Sequence, residues 1–226
     1  MQQHNSFPPS ASIDKKDRYA MKKPALLHRF IKRLFDLLLS FTGIVLISPI
    51  FILVLLLQWC TTPGTAFFRQ ERIGKDGKPF HIIKFRTMEL DAESDGPQLV
   101  NIQNSSRFTR YGQFLRKHHL DELPQLWNVL IGDMSFVGYR PERAFFINQI
   151  MEKDKRYAML FAIRPGITSE AAIYNGYTDT MEKMLRRLEM DVDYLNHFSV
   201  WTDIKIILLT AFVFFSGKQD ASQNSK

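Results

Sequence analysis

Two adjacent carboxylates, Asp121 and Glu122, are the residues whose type and surroundings best suit chemistry. Pro124 follows them, and because proline is favoured in the first turn of a helix, the pair is expected at or just before a helix N-terminus. Acidic residues there are usually simple caps, worth about 1 kcal/mol. The nearby cations favour a phosphoryl site instead, since they can bind phosphate oxygens while a carboxylate binds a divalent ion or attacks phosphorus. These cations are Lys84, Arg86, Arg116, Lys117 and Arg140.

The other polar motifs have simpler interpretations. His118 and His119 are adjacent, and adjacent residues on a helix point about 100° apart, which argues against a shared metal ion. Asp191 and Asp193 lack the apolar surroundings of an Asp-x-Asp motif at a strand end, so they are interpreted as a solvated helix face. Asp121 and Glu122 therefore remain the candidate catalytic pair.

A long apolar segment, residues 34–60, has the length of a transmembrane helix. After Asp36 no charge occurs until Arg69. Basic residues favour the cytoplasmic face, yet they flank the segment on both sides, with eight Lys or Arg in residues 15–33 and six in residues 69–86. A straight crossing would place one basic cluster on the wrong side of the membrane.

Ser48-Pro49, near the middle of this segment, suggests how both flanks can be cytoplasmic. Proline removes a helix hydrogen bond, so a bend is expected there, with the Ser48 hydroxyl satisfying freed backbone groups. The two arms would rise roughly 22 and 18 Å at about 1.5 Å per residue, less than the roughly 30 Å hydrocarbon core. The helix is therefore predicted to re-enter, and an ordinary kinked spanning helix is the alternative.

The rest of the sequence predicts a mainly α fold with a small β-hairpin, an α+β class. Residues 66–88 form the predicted hairpin around a turn-rich centre. Helices are predicted at residues 107–118, 124–131 and 180–197 and from Pro141 onwards, with loops at 89–106, 132–140 and 164–179. Residues 201–215 are too short to cross a membrane comfortably, so they are expected at its interface or as a C-terminal core helix.

Composition agrees with an anionic partner but does not identify it. The net charge of +7 suits nucleic acid, anionic lipid headgroups and diphosphate substrates equally well. Cys60 is the only cysteine, which excludes an intrachain disulfide and a cysteine-based metal site. The predicted organisation is a disordered tail at 1–24, the membrane helix at 25–60, a catalytic domain at 61–217 and a second disordered tail at 218–226.

Four motifs occur in a recognisable order. They are FRQERIG at 68–74, KFRTM at 84–88, LDELPQLWNVL at 120–130 and GDMS at 132–135. Together they closely resemble the bacterial sugar transferases, the monotopic polyprenyl-phosphate phosphoglycosyl transferases, over about residues 29–215. The block 120–141 is highly specific, and the chain resembles the minimal form of the family.

This resemblance implies a re-entrant helix broken at Ser48-Pro49 and a catalytic pair made of Asp121, the nucleophile, and Glu122. It also implies Mg²⁺, with Asp121 as the metal-ligand candidate, and a covalent phosphosugar intermediate. The helix N-terminus would keep Asp121 ionised. Two departures leave the donor sugar undetermined: Tyr139 stands where the family has proline, and SEAAIYNG at 169–176 replaces GWAQVNG.

The implied reaction moves a sugar-1-phosphate from a nucleotide diphosphate sugar, expected to be UDP-linked, to polyprenyl (undecaprenyl) phosphate. It would occur at the cytoplasmic face of the bacterial inner membrane and initiate glycan assembly. Lys84, Arg86, Arg116 and Arg140 would bind phosphates, and Glu122 would position groups or move protons. Membrane lipids are expected partners, nucleic acid is not, and a homodimer stays open.

Two rival functions remain. A basic, membrane-tethered protein that only binds anionic lipid or nucleic acid would explain the charge, but it leaves Asp121 and Glu122 without a role. A single-step transferase would use Asp121 only as a metal ligand.

Overall fold

A computed structural model describes residues 26–62, 64–90, 92, 107–176 and 178–216. The predicted tails 1–24 and 218–226, and most of the predicted loop 89–106, lie outside these residues. Within them the chain is mostly helical with two small sheets, one antiparallel and one parallel. The predicted α+β class is confirmed at this level.

Helix α1, Leu26–Thr61, has the reverse of the pattern expected in a soluble helix. It is long and apolar enough to cross a membrane, and most of its large apolar side chains are exposed. An extended exposed apolar surface of this kind is typical of a membrane contact. Its buried residues are mostly polar: Asp36, Ser40, Val54 and Gln58.

The helix continues through Pro49, and Ser48 compensates for that proline. Pro49 has no backbone N–H, so the Val45 carbonyl, one turn earlier, lacks its usual helical partner. The Ser48 hydroxyl donates to this carbonyl at 2.8 Å. This hydrogen bond agrees with the role predicted for Ser48, while the bend and the re-entry at Ser48-Pro49 stay predictions.

Residues on both sides of Pro49 are bonded to the rest of the protein. On the N-terminal side, the Asp36 carboxylate accepts a hydrogen bond from the Ser135 hydroxyl at 2.9 Å. On the C-terminal side, the Gln58 amide donates to the Arg86 carbonyl at 2.7 Å. Both arms of α1 are therefore held by the same domain.

The hairpin predicted at residues 66–88 is confirmed. Strands β1, Phe67–Ile73, and β2, Pro79–Phe85, pair antiparallel with Phe67 opposite Phe85. A 3-10 turn, Lys75–Gly77, joins them. Phe85 packs on α1, with its ring centroid 4.9 Å from that of Phe51.

The remaining elements, taken in chain order, are mostly helices with two short strands. They are α2 Arg110–Lys117, a 3-10 turn Leu120–Glu122, α3 Gln125–Ile131, β3 Ser135–Val137, α4 Ala144–Lys153, α5 Tyr157–Leu160, β4 Gly166–Thr168, α6 Glu170–Tyr174, α7 Met181–Asn196 and α8 Val200–Ser216. Helix α7 matches its prediction and is capped by Thr180. Helix α2 starts later than residue 107, because Phe108 forms a β-bridge with Met88 and Thr109 caps the helix.

Three predictions about the later elements were wrong. The supposed loops 132–140 and 164–179 contain β3 and β4, which pair in parallel with Ser135 opposite Gly166, and 164–179 also contains α6. Helix α4 begins at Ala144 rather than Pro141, after an extended Arg143. The two strands have three residues each, too few for alternating hydrophobicity to be visible in the sequence.

Asp191 does not lie on a solvated face, contrary to the prediction. It is 3% exposed, while Asp193 on the same helix is largely exposed. Asp191 lies three residues after Leu188 and four before Leu195, both core residues, so helical spacing places its side chain in the core. Burial raises the pKa of Asp191 to about 7, although Arg187 counteracts this shift.

Helix α8 combines both interpretations of residues 201–215. Ile206 is buried in the core and Asp203 is buried against Lys32 of α1, with 2.6 Å between ammonium and carboxylate. Its other face leaves large apolar side chains exposed: Trp201, Leu208 and Phe212. The helix packs on the domain with one face, and its place at a membrane interface stays a prediction.

Candidate active site

Asp121 and Glu122 occupy the 3-10 turn that precedes α3, as the sequence predicted. His119 stands before them in a left-handed conformation with φ 51°, so the chain turns sharply after α2. Asp121 is 6% exposed, and none of the described residues donates a hydrogen bond to its carboxylate. It is a dehydrated acid beside cations rather than a capping residue.

The electrostatics of Asp121 differ from the prediction. Burial raises the pKa of Asp121 above its ordinary value of 3.8, and the charge of Glu122 adds to this shift. The charges of Lys84 and Arg116 counteract the rise only in part. The result is a poorly solvated, more basic carboxylate, and a more basic carboxylate is the better nucleophile when ionised.

Glu122 has the opposite environment. Its carboxylate lies 2.6 Å from the Lys84 ammonium and 3.5 Å from the Arg140 guanidinium. Burial alone would raise the pKa of Glu122, but Lys84 and Arg140 together hold it well below its usual range. Two neighbouring acids whose pKa values are pushed apart in this way are typical of different catalytic roles.

Strand β2 brings Lys84 to the acids. Its side chain points away from that of the next residue, Phe85, which packs on α1. Burial lowers the pKa of Lys84, while the charges of Glu122 and Asp121 counteract this. The hairpin therefore holds a cation at the acids with one residue and anchors the membrane helix with the next.

The three predicted phosphate-binding arginines have different surroundings. The Arg116 guanidinium lies 4.7 Å from the Phe108 ring centroid, and its positive charge acts to lower the pKa of Asp121. Arg140 reaches Glu122, as described. Arg86 is buried and bonded to neither acid, and a side chain added at Gly64 would come within 3.0 Å of its guanidinium. Its phosphate-binding role stays a prediction.

Sequence reasoning missed a buried ion network behind Arg140. Glu142 accepts from Arg72 at 3.1 Å and from Arg187 at 2.7 Å. These partners come from β1 and α7, far from Glu142 in the sequence, so no local spacing could have revealed them. The network fixes the segment that carries Arg140 to the core.

Asn128 was also missed. From α3 its amide accepts a hydrogen bond from the Ile83 backbone N–H at 3.0 Å and donates to the His81 carbonyl at 2.8 Å. Because Lys84 follows on the same strand, Asn128 sets the position of α3 relative to the cation that meets Glu122.

The model of the bacterial sugar transferase family matches residues 27–217 of this chain. The chain belongs to that family. The match includes α1, the hairpin, the acidic pair and α8, which is nearly everything described above.

Curated relatives of this chain have related names. A UDP-glucose:undecaprenyl-phosphate glucose-1-phosphate transferase of Escherichia coli (strain K12) is 42% identical over 85% of this chain and 42% of its own length. A protein of the same name from Caulobacter vibrioides is 40% identical over 79% of this chain and 67% of its own. A UDP-N-acetylgalactosamine-undecaprenyl-phosphate N-acetylgalactosaminephosphotransferase of Aeromonas hydrophila is 36% identical over 86% and 46%. The chain thus spans less than half the length of two of these three relatives.

One departure from the family pattern now has a structural explanation. Tyr139, which stands where proline is usual, is fully buried and packs edge-on against Tyr157, with 6.4 Å between ring centroids. It is a core residue of this chain, and its side chain faces away from solvent.

One residue of the acidic pair, Asp121, could hold Mg²⁺ together with the phosphates of a substrate. Among the described residues, no three His, Cys, Asp or Glu side chains gather into a metal-binding group. Mg²⁺ commonly takes one or two carboxylates together with substrate phosphates. Asp121 offers one such carboxylate without a competing hydrogen bond, whereas Glu122 is already bound to Lys84.

Proposed function

We propose that this protein transfers a sugar-1-phosphate from a nucleotide diphosphate sugar, UDP-linked, to undecaprenyl phosphate through a covalent aspartyl-phosphosugar intermediate. The observation that carries the proposal is the contrast between Asp121, buried and without a hydrogen-bond donor among the described residues, and Glu122, held ionised by Lys84 and Arg140. The relatives' names, which specify UDP-sugars and undecaprenyl phosphate, support the substrate classes.

The reaction has two displacements at one phosphorus. An Asp121 oxygen attacks the sugar-proximal phosphorus, and the bond from that phosphorus to the bridging oxygen breaks, releasing the nucleoside monophosphate. An oxygen of undecaprenyl phosphate then attacks the same phosphorus. The Asp121–phosphorus bond breaks, which frees the carboxylate and gives undecaprenyl-diphosphate-sugar.

The surrounding residues supply charge and position. Arg116 and Arg140 bind phosphate oxygens, and Arg140 can do so with two parallel N–H groups. Glu122 keeps the Lys84 ammonium beside Asp121. Mg²⁺, held by Asp121 and the donor phosphates, would neutralise diphosphate charge.

The membrane arrangement brings the lipid acceptor to this site. Helix α1 re-enters, with both flanks at the cytoplasmic face of the inner membrane. Bonds from both arms of α1 to one domain support this, as do basic residues on both sides of the apolar segment. The acids then lie near the depth of the undecaprenyl phosphate group.

A single-turnover experiment tests the covalent step. The purified protein is incubated with Mg²⁺ and a panel of nucleotide-sugars, without undecaprenyl phosphate. The right donor should release up to one equivalent of nucleoside monophosphate, and the peptide containing Asp121 should gain the mass of one sugar phosphate. Asp121→Asn should abolish both signals, because an amide is a poor nucleophile, whereas Asp193→Asn, an exposed control, should keep them.

Other outcomes point to the rival functions. If release strictly requires undecaprenyl phosphate and no peptide is labelled, the transfer is a single step with Asp121 as a metal ligand. If no donor is turned over even with acceptor, while lipid binding is intact in both variants, the protein is a binding protein.

A further inference from the structure

A second group of cations lies at the opposite end of α3 from the acidic pair. An open cleft there is lined by five of them: Arg29, Lys32, Arg33, Lys75 and Arg164. One acid, Asp36, lines the same cleft, and its carboxylate is bonded to the Ser135 hydroxyl and the Phe136 backbone N–H. The cleft therefore carries an excess of positive charge.

Two of these guanidinium groups converge on the last carbonyls of α3. Arg33 donates to the Val129 and Leu130 carbonyls at 2.7 and 2.8 Å. Arg164 donates to the Gly132 carbonyl at 2.7 Å. Carbonyls carry no full charge, so they hold these arginines in place without neutralising them.

Carboxylates act on these arginines only from a distance, since the charges of Asp36 and Asp76 influence Arg164 without forming an ion pair with it. Within the part of the chain that the structure describes, Arg29, Arg33 and Arg164 form no ion pair with an acidic side chain. Their mutual repulsion is visible at Arg164, whose pKa is lowered by burial first and then by the charge of Arg33. Two guanidinium groups held in place, with the partly buried Arg29 beside them, favour an anion with several oxygens.

The surroundings of the cleft indicate a lipid rather than a free ion. Phe30 and Leu34, next to the arginines on α1, are 69% and 48% exposed. Trp201, at the start of α8 and three residues after Phe198, which lines the cleft, is 80% exposed. Exposed apolar side chains beside cations, with a tryptophan at the boundary, are typical of the headgroup layer of a bilayer.

We propose that this cleft binds the phosphodiester of an anionic phospholipid headgroup, with Arg29, Arg33 and Arg164 as its ligands. This site is separate from the acidic pair and goes beyond the proposed reaction. Since Arg33 and Arg164 also hold the end of α3, the bound lipid would reinforce the helix that starts at the catalytic turn.

Binding of short-chain lipids to the full chain in detergent tests this site without requiring turnover. Dihexanoylphosphatidylglycerol should bind at least about tenfold more tightly than dihexanoylphosphatidylcholine, as expected for several charge-assisted hydrogen bonds. The combined change of Arg29→Gln and Arg164→Gln should weaken phosphatidylglycerol binding by about tenfold. Inorganic phosphate at the same concentration should not compete.

The control removes the same charge elsewhere. Lys153→Gln with Lys155→Gln, both exposed and outside the cleft, should leave the affinity unchanged. If the paired arginine variant fails to fold, Arg29→Gln alone is used, because Arg29 makes no hydrogen bond to the described residues. Equal weakening by the lysine control, or competition by inorganic phosphate, would overturn the proposal.

Discussion

At the scale of single residues, the two neighbouring acids depend on cations that come from distant parts of the chain. Lys84 is 38 residues before Glu122, and Arg140 is 18 residues after it. Without these partners, burial would raise the pKa of both acids, and two close carboxylates would share a proton. The cations on Glu122 are what allow Asp121 to act separately.

Arg140→Lys tests whether the shape of this cation matters. Lysine keeps the charge near Glu122 but loses the planar, two-pronged contact with a phosphate. We expect kcat/KM for the nucleotide-sugar to fall by about tenfold or more, with an unchanged Tm. Arg156→Lys is the control, since Arg156 is exposed and paired with Asp154. Wild-type turnover of Arg140→Lys would show that Arg140 is only a surface residue.

Asp191 predicts a pH dependence of stability. Its pKa rises from 3.8 to about 7 on folding, so the folded state favours the protonated acid. This contribution is complete below about pH 4 and is lost as the pH rises through about 7. The groups that act on this acid are Arg187, which favours its charge, and Glu142, which opposes it.

Asp191→Asn should therefore raise the free energy of unfolding at pH 8 by on the order of 1–4 kcal/mol, and by a clearly smaller amount at pH 5. Denaturant unfolding in one detergent at both pH values measures this. Asp193→Asn, on the exposed face, should show no such difference. A loss of stability in Asp191→Asn at both pH values would mean that a bond to the carboxylate outweighs its burial.

At the scale of elements, the proposed function depends most on the topology of α1 in the membrane. Single cysteines at Lys22 and Lys78, in a Cys60→Ser background, lie on either side of this helix. Both should resist a membrane-impermeant maleimide in intact cells and react in inverted vesicles, because a re-entrant helix keeps both flanks cytoplasmic. Labelling of Lys22→Cys alone in intact cells would refute re-entry.

The predicted bend can be tested in the same assay. Ser48→Ala with Pro49→Ala restores the backbone donor for the Val45 carbonyl and removes the cause of the predicted bend. Part of the population should then span the membrane, which exposes Lys22→Cys to the reagent. Ile47→Ala with Ile50→Ala, which leaves proline in place, should not change the labelling.

At the scale of the whole molecule, the sequence predicted what is local or strongly patterned. The hairpin and α7 were visible because turn formers and helical spacing lie within a few residues. Strands β3 and β4 were not, since each is stabilised by its partner rather than by its own composition. The family motifs identified Asp121 and Glu122, but not which neighbour each acid meets.

The remaining differences between prediction and structure concern charged residues. Asp191 was interpreted as exposed because aspartate is usually so, yet its position on α7 made it a core residue. Glu142, Arg72 and Arg187 were overlooked because their pairing spans up to 70 residues of chain. Such pairs become visible only once the fold brings them together.

The polar stripe of α1 has a consequence for the order of biosynthesis. Ser135, the partner of Asp36, lies 99 residues after it in the sequence. Arg86, the partner of Gln58, lies 28 residues after it. Until the ribosome has made them, α1 would carry unpaired polar groups into hydrocarbon, which is costly. Stable insertion should therefore follow domain folding, and chains arrested before Ser135 should be extracted from membranes by alkaline carbonate while completed chains resist it.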